Sequence, residues 1–364
     1  MVITTTATVV DGMEPLVHNP RFSILMAVYN AETFLEKALQ SLLSQSFSDW
    51  QLICVDDAST DHSLSLLQRY ASLDDRITVI HKTVNEGQAI ARNEALRLAQ
   101  GDYVVMLDAD DWLSPDCLEL VGQAFEKGED TDAVLLNLIK VYDDGHEEPY
   151  LDGSEAFLKK SDNEACSSDN IHSGSWRETK LSGYDAFVAS LDWSLHGLYA
   201  VRRDIHLRYP YDCSCRLYSD DNTTRLHYLH SRKVAFCEGR YYYRQHAASS
   251  TNAFTASRFL FMEANLSMKR TLEREGLGRE VLEYYERHRW MVFIGQFWTY
   301  HCHHHQLTPV ERKTVKESFR RIYGTFTSRP VPPKFGYTWF RSYRLFLLQE
   351  KLYFTLRKVL QSAD

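Results

Sequence analysis

At 364 residues the chain exceeds what one hydrophobic core comfortably serves, so one large domain with an appendage is expected. Its hydrophobic share of 44% and charged share of 25% are those of an ordinary soluble globular protein. The formal charge of −8, with a basic surplus that follows no nucleic-acid motif, gives a DNA- or RNA-binding role no support.

The first twenty residues lack a basic n-region and a long apolar core, so residues 1–20 read as a flexible leader rather than a signal peptide. "FSILMAVYN" (22–30) is a short apolar run ending in turn-prone Asn, which predicts a buried strand. "AETFLEKALQSLLSQS" (31–46) follows, with Phe34, Leu35, Ala38, Leu42 and Leu43 at helical spacing. "QLICVDDAST" (51–60) repeats the plan as strand, acids and helix-cap signal before "HSLSLLQRYASL". "ITVIH" (77–81) predicts a third strand, 87–99 a third helix, and "YVVML" (103–107) a fourth strand. Such alternation with short connections predicts an α/β fold with a mostly parallel, Rossmann-like sheet flanked by helices. Ligands bind beyond the carboxyl ends of such strands, where Tyr29–Asn30, Asp56–Asp57 and Asp108–Asp111 all fall.

Residues 143–182 are polar and unpatterned, which suggests a long loop or lid. Apolar patterning returns at 181–203. After Ser257 the chain reads as helices at 258–275, 279–305 and 308–323, broken by "SRPVPP" before an aromatic, basic tail. Residues 258–364 hold 19 Lys and Arg against 10 Asp and Glu, whereas 1–257 hold 22 against 39. The basic third suits an anionic neighbour: a membrane face, an acidic acceptor or the acidic domain beside it. Seven scattered cysteines without a C-x₂-C pair read as reduced thiols of a cytosolic protein, and no stretch approaches 18 uninterrupted apolar residues.

Asp108 and Asp110 form an Asp-x-Asp pair just beyond a strand, with Asp111 beside them and nothing basic nearby in sequence. A hard divalent cation, sharing its oxygen ligands with a phosphate-bearing substrate, would make the cluster tolerable. An exposed acidic turn that also caps the helix at 114–121 is the alternative. His301 and His305 in "HCHHH" are i and i+4 and so could share a helix face around zinc, but no acid stands near them and the helix ends there.

"SILMAVYNAETFLEKALQSLLSQSFSDWQLICVDDASTD" and "NEGQAIARNEALRLAQGDYVVMLDADDW" together resemble the nucleotide-sugar-binding half of family 2 glycosyltransferases, which have the GT-A fold. The resemblance runs from about Phe22 to Asp116 and comprises four ordered motifs. It implies that Ala27, Tyr29 and Asn30 line a nucleotide site, and that Asp57 accepts from a uracil imide, a donor that cytosine lacks. It implies that Arg92 contacts the nucleotide or its diphosphate, that Asp108 sits by ribose and metal, and that Asp110 binds Mn²⁺ or Mg²⁺. Plain structural roles remain alternatives: a turn carboxylate for Asp57, a solvated helix arginine for Arg92.

"YSDDNTTRLHYL" (218–229) resembles the family's acidic dipeptide at a helix start, which makes Asp221 the acceptor's base with Asp220 as fallback. Either residue is also explained as a helix N-terminal acid. "YYYRQHAASST" (241–251) resembles the family's closing strand and loop, with His246 completing the metal shell and Arg244 facing the leaving diphosphate. Trp193 and His196 fall where the family shapes its sugar and acceptor pocket, although a core Trp fits as well.

The expectation is a metal-dependent inverting glycosyltransferase that moves a sugar from a UDP-sugar to a hydroxyl of a glycan or lipid-linked saccharide acceptor. Its GT-A domain spans 21–256, with a nucleotide half at 21–140, an acceptor half at 180–256 and a lid at 143–182. A helical, basic region covers 257–364. A cytoplasmic enzyme follows, with the tail either at the inner membrane face or packed on the body or a partner subunit of a homo-oligomer. The rivals are a non-catalytic scaffold of the same fold and a sugar nucleotidyltransferase, which would carry a Gly-rich basic loop where this chain has "YNAETF".

Overall fold

The computed structural model describes residues 19–150, 180–214, 218–246, 254–326 and 342–361. Two compact units divide the chain, residues 1–246 and 247–364.

In the first unit, β1 (Phe22–Val28), β2 (Trp50–Asp56), β3 (Ile77–His81) and β4 (Tyr103–Met106) pair in parallel, in the order β3-β2-β1-β4. Helices α1 (Leu35–Leu43), α2 (Ser63–Ala71) and α3 (Gln88–Leu98) connect them, as the alternating pattern requires. The faces of β1 explain why both sides are covered. Phe22, Ile24, Met26 and Val28 enter a core with Leu35, Ala38, Leu39 and Leu42 of α1. Leu25 points the other way, into a core with Ala89, Ala91, Ala95 and Leu96 of α3. Leu43 of the expected stripe is 38% exposed, and Leu39 packs inward in its stead.

The sheet continues through β9 (Tyr199–Arg202), β6 (Thr131–Tyr142), β10 (Lys233–Gln245) and β5 (Trp112–Leu113), making ten strands with β7 (Glu147–Pro149) and β8 (Leu181–Ser182). β9 is antiparallel to β4 and β6, whereas β6 and β10 run parallel. A register irregularity interrupts β10: Phe236 faces Leu135, but the next pair is Arg240 with Asn137. Helices α4 (Cys117–Glu126), α5 (Gly183–Ser190), α6 (Arg203–Arg208) and α7 (Ser219–Leu229) complete the unit. Of the expected lid, residues 151–179 lie outside the described residues, while β7 and β8 occupy part of its two ends. Residues 1–18 of the leader also lie outside them.

The second unit has its own aromatic core, built by α8 (Phe261–Arg274), α9 (Arg279–His303), α10 (Pro309–Tyr323) and α11 (Tyr343–Gln361). Trp290, Phe293, Phe297, Phe319, Phe346 and Phe354 fill it. Thr308 and Glu311 form a reciprocal capping box at the start of α10, with Pro309 in the first turn. Helix α9 ends at His303, so His301 and His305 do not share a continuous α-helical face. Among the described residues, no helix is long and apolar enough to cross a membrane.

Candidate active site

The carboxyl ends of β1, β2 and β4 meet at one edge of the sheet, because these strands are adjacent and parallel. Ala27 is half-buried and Tyr29 is 52% exposed at the end of β1. Asn30 takes a left-handed conformation (φ 50°), which lets its Oδ1 accept from the Thr60 amide at 2.8 Å while its own amide donates to Ser59 Oγ at 3.0 Å. These bonds fix the β1 and β2 ends to each other.

Asp57 is 2% exposed and already engaged. Its two oxygens accept the Glu86 and Gly87 amides at 3.0 and 2.7 Å, and Lys82 Nζ lies 3.0 Å away. Gly87 has φ 96°, a conformation that side chains disfavour, and it opens α3. Asp57 therefore holds the turn that launches α3, and further donors reach it only through its remaining lone pairs.

Helix α3 delivers Arg92, which is 1% exposed and so is no solvated helix arginine. Its Nη2 donates to Asp108 Oδ1 at 2.5 Å, and its Nη1 lies 3.9 Å from Asp220 Oδ2. The guanidinium also rests over the Tyr211 ring, 5.4 Å from its centroid.

Beyond β4 the acidic turn brings a carboxylate oxygen from each of Asp108, Asp110 and Asp111 within 4.8 Å of one another. Burial, then the charge of Asp108, pushes the Asp110 carboxyl above its ordinary range, with a bond from His246 opposing. Asp111 is driven up further by burial and by both neighbours. The alternative of an exposed acidic turn does not hold for Asp111. It is instead 1% exposed, accepting the Tyr241 hydroxyl on Oδ2 and the Arg244 amide on Oδ1, both at 2.8 Å.

His246 Nε2 is 3.0 Å from Asp110 Oδ2. Arg244 donates from Nε to the Asp110 carbonyl at 2.9 Å, with its guanidinium over Phe34 and Trp112. Carboxylates crowded so that burial and mutual repulsion oppose ionisation of Asp110 and Asp111 suit a hard divalent cation. Among the described residues, Asp108, Asp110 and Asp111 each offer a carboxylate oxygen that could hold such an ion, with the His246 ring beside Asp110. Lys37, missed in the sequence, lies over the Trp112 ring at 3.3 Å; burial and then Arg244 hold its pKa down.

Asp220 and Asp221 occupy the first turn of α7, where the helix dipole favours acids. Burial, followed by repulsion from Asp220, pushes the Asp221 carboxyl up to about 8, with Arg225 opposing. Asp220 borders a small cavity shared with Met106, Gly197, Tyr199, His206 and Thr224. Gly197 keeps it open, since a Cβ there would stand 2.9 Å from Thr224 Oγ1. Trp193 has φ 64° and lies under Arg225, 4.8 Å from ring centroid to guanidinium, half-buried rather than in the core. His196 sits in the following loop, where its carbonyl accepts from Tyr228 and its Nδ1 accepts the Leu198 amide.

Residues 23–177 match the model for glycosyl transferase family 2. EpsH of Bacillus subtilis (strain 168), named as a glycosyltransferase, is 36% identical over 126 residues, covering 34% of this chain and 36% of EpsH. TuaG of the same organism, named for teichuronic acid biosynthesis, is 45% identical over 100 residues, 28% of this chain and 40% of TuaG. The chain thus matches well under half the length of these relatives. The structure of S. aureus TarS 1–349 in complex with UDP-GlcNAc superposes with a TM-score of 0.60 at 16% identity, covering 86% of this chain and 82% of that one. Residues 23–177 are thus similar to glycosyl transferase family 2, and the chain has the GT-A fold.

Proposed function

We propose that the protein is a metal-dependent, inverting glycosyltransferase that moves a hexosyl unit from a UDP-sugar to a hydroxyl of a glycan or lipid-linked acceptor. The observation that supports it most is a pairing within one unit. An acidic turn whose charges oppose ionisation lies one arginine away from a helix start carrying Asp221, whose carboxyl is pushed up to about 8. A base of that strength accepts a proton near neutral pH.

In this reading Asp221 takes the acceptor hydroxyl's proton as its oxygen bonds to the anomeric carbon. The bond from that carbon to the diphosphate oxygen breaks, and UDP leaves with the electron pair. A bound Mn²⁺ or Mg²⁺ would neutralise charge on the diphosphate. Asp110, Asp108 and His246 would hold it, and Arg244 would face the leaving group. Ala27, Tyr29, Asn30 and Asp57 would seat the nucleoside, while Trp193 and His196 border the acceptor side. The TarS complex with UDP-GlcNAc supports uridine as the base, and the relative named for teichuronic acid biosynthesis supports a cell-surface polysaccharide role.

The second unit contributes a surface for the cytoplasmic face of a membrane. On α11, Phe346, Glu350 and Phe354 point inward, while Leu345, Leu348 and Leu352 are 48%, 69% and 65% exposed beside exposed Arg344 and Lys351. An apolar stripe flanked by cations suits anionic headgroups.

A thermal-shift screen of nucleotide sugars with Mn²⁺ tests the reading. UDP-sugars are expected to raise Tm, and EDTA to abolish the rise. Indifference to every donor would sink it.

A further inference from the structure

We infer that Arg92 is a positioning residue that ties the donor side of the site to its acceptor side, exchanging Asp108 for Asp220 when a divalent cation engages Asp108. The inference rests on the glycosyltransferase reading above and adds to it a form of regulation within the same site.

The geometry is asymmetric in a way that calls for a second state. Arg92 comes from α3, Asp108 from the end of β4 and Asp220 from the first turn of α7, so one guanidinium touches three elements. It sits on Asp108 at 2.5 Å and leaves Asp220 at 3.9 Å, beyond hydrogen-bond reach. Its Nη1 and Nε are buried without a hydrogen-bond acceptor among the described residues. Such unsatisfied donors cost stability unless another state uses them. Asp108 and Asp220 retain 33% and 34% exposure, so ligand can reach both carboxylates.

A divalent cation on Asp108 competes for the same oxygens and repels the guanidinium. Arg92 cannot lose its own charge, and Nη1 already points toward Asp220, so closing the remaining gap satisfies it. Two charged groups bear on Asp221 from its own helix: Asp220, which opposes its ionisation, and Arg225, which favours it. Facing Asp220 are Arg92 and the buried phenols of Tyr199 and Tyr211. Neutralising Asp220 therefore eases ionisation of Asp221, and the base becomes competent when the donor's ion is in place.

The full chain, labelled with ¹³C at aspartate side chains, is titrated with and without UDP and Mg²⁺. Asp221 is assigned by the resonance lost in Asp221→Asn. In the natural protein, UDP with Mg²⁺ is expected to lower the Asp221 midpoint by about one pH unit, a tenfold change in proton affinity. In Arg92→Lys, whose single ammonium cannot span both carboxylates, and in Arg92→Met, most of that shift disappears. Asp220→Asn lowers the midpoint before any ligand is added and leaves little further response. These last two variants also guard against one of them failing to fold.

Binding is followed by calorimetry in parallel. Binding with an equal midpoint shift in the natural protein and in the Arg92 variants, or with no shift at all, overturns the exchange and leaves the enzyme reading standing. Absence of UDP–Mg²⁺ binding to the natural protein overturns both.

Discussion

The phenol of Tyr241 donates to Asp111 Oδ2 at 2.8 Å and accepts the Asp108 amide at 3.1 Å, so one side chain of β10 fastens both ends of the acidic turn. The turn's shape is thereby set by a strand 130 residues later in the chain. Tyr241→Phe leaves a buried carboxylate oxygen and a backbone amide without partners, at a cost of about 1–3 kcal/mol. Urea unfolding is expected to show that loss, with weaker Mn²⁺ binding beside it. Asp111→Asn keeps an acceptor and relieves repulsion, so it is expected to be less damaging than Asp111→Ala.

Asp221 makes opposite predictions for activity and stability. Turnover is expected to rise with pH to a midpoint near the value of about 8 to which the carboxyl is pushed. Asp221→Asn is expected to cost about 10²–10⁴-fold in kcat. The folded value lies above the unfolded one, so the group's stabilising contribution is complete below the ordinary carboxyl value of 3.8 and is lost as pH rises through about 8. Asp221→Asn, which carries no charge, is therefore expected to melt higher than the natural protein above pH about 8. Parallel melting curves across the pH range would refute the raised carboxyl.

Gly87→Ala tests the clamp under the proposed nucleotide side. With φ 96° and ψ 160°, alanine is strained there by about 1–3 kcal/mol. The Gly87 amide is one of the two that hold Asp57, so calorimetry is expected to show weaker UDP binding together with the lower unfolding midpoint. Unchanged affinity would separate Asp57 from the nucleotide.

Leu348→Glu combined with Leu352→Glu tests the proposed membrane face. Both side chains point outward, so the fold is expected to persist while flotation with anionic vesicles falls at least about tenfold. Binding that survives the double variant would assign the stripe to something other than lipid.

Much of the first unit was legible because its information is local. Strands β1 to β4 and the helices between them announce themselves by short apolar runs and helical periodicity, and strand ends bring Asn30, Asp57 and Asp108 to one edge. Leu43 was misjudged because helical spacing gives a stripe's direction but not its width, and Leu39 lies nearer its centre. The partners of Asp111 were hidden for a different reason: they come from β10, and no local pattern reports which strand will lie beside β5. One signal was present. An acid followed at once by the apolar pair Trp112–Leu113 is headed for burial and so needs a donor. Lys37 and Arg92 were obscured likewise, since helix periodicity shows neither the aromatic ring nor the carboxylates that receive them.

The irregularity in β10 sets a rule for changes in chain length. Between Phe236 and Arg240 the strand advances four residues while β6 advances two, from Leu135 to Asn137, an even excess. Side chains alternate across a sheet, so an even excess leaves Tyr241 and Arg244 on the faces they would have had without it. Removing one residue from 237–239 would swap those faces and turn the Tyr241 hydroxyl away from the acidic turn. Removing two would restore the phase. This stretch can shorten or lengthen only in steps of two while keeping its hold on the acids it reaches.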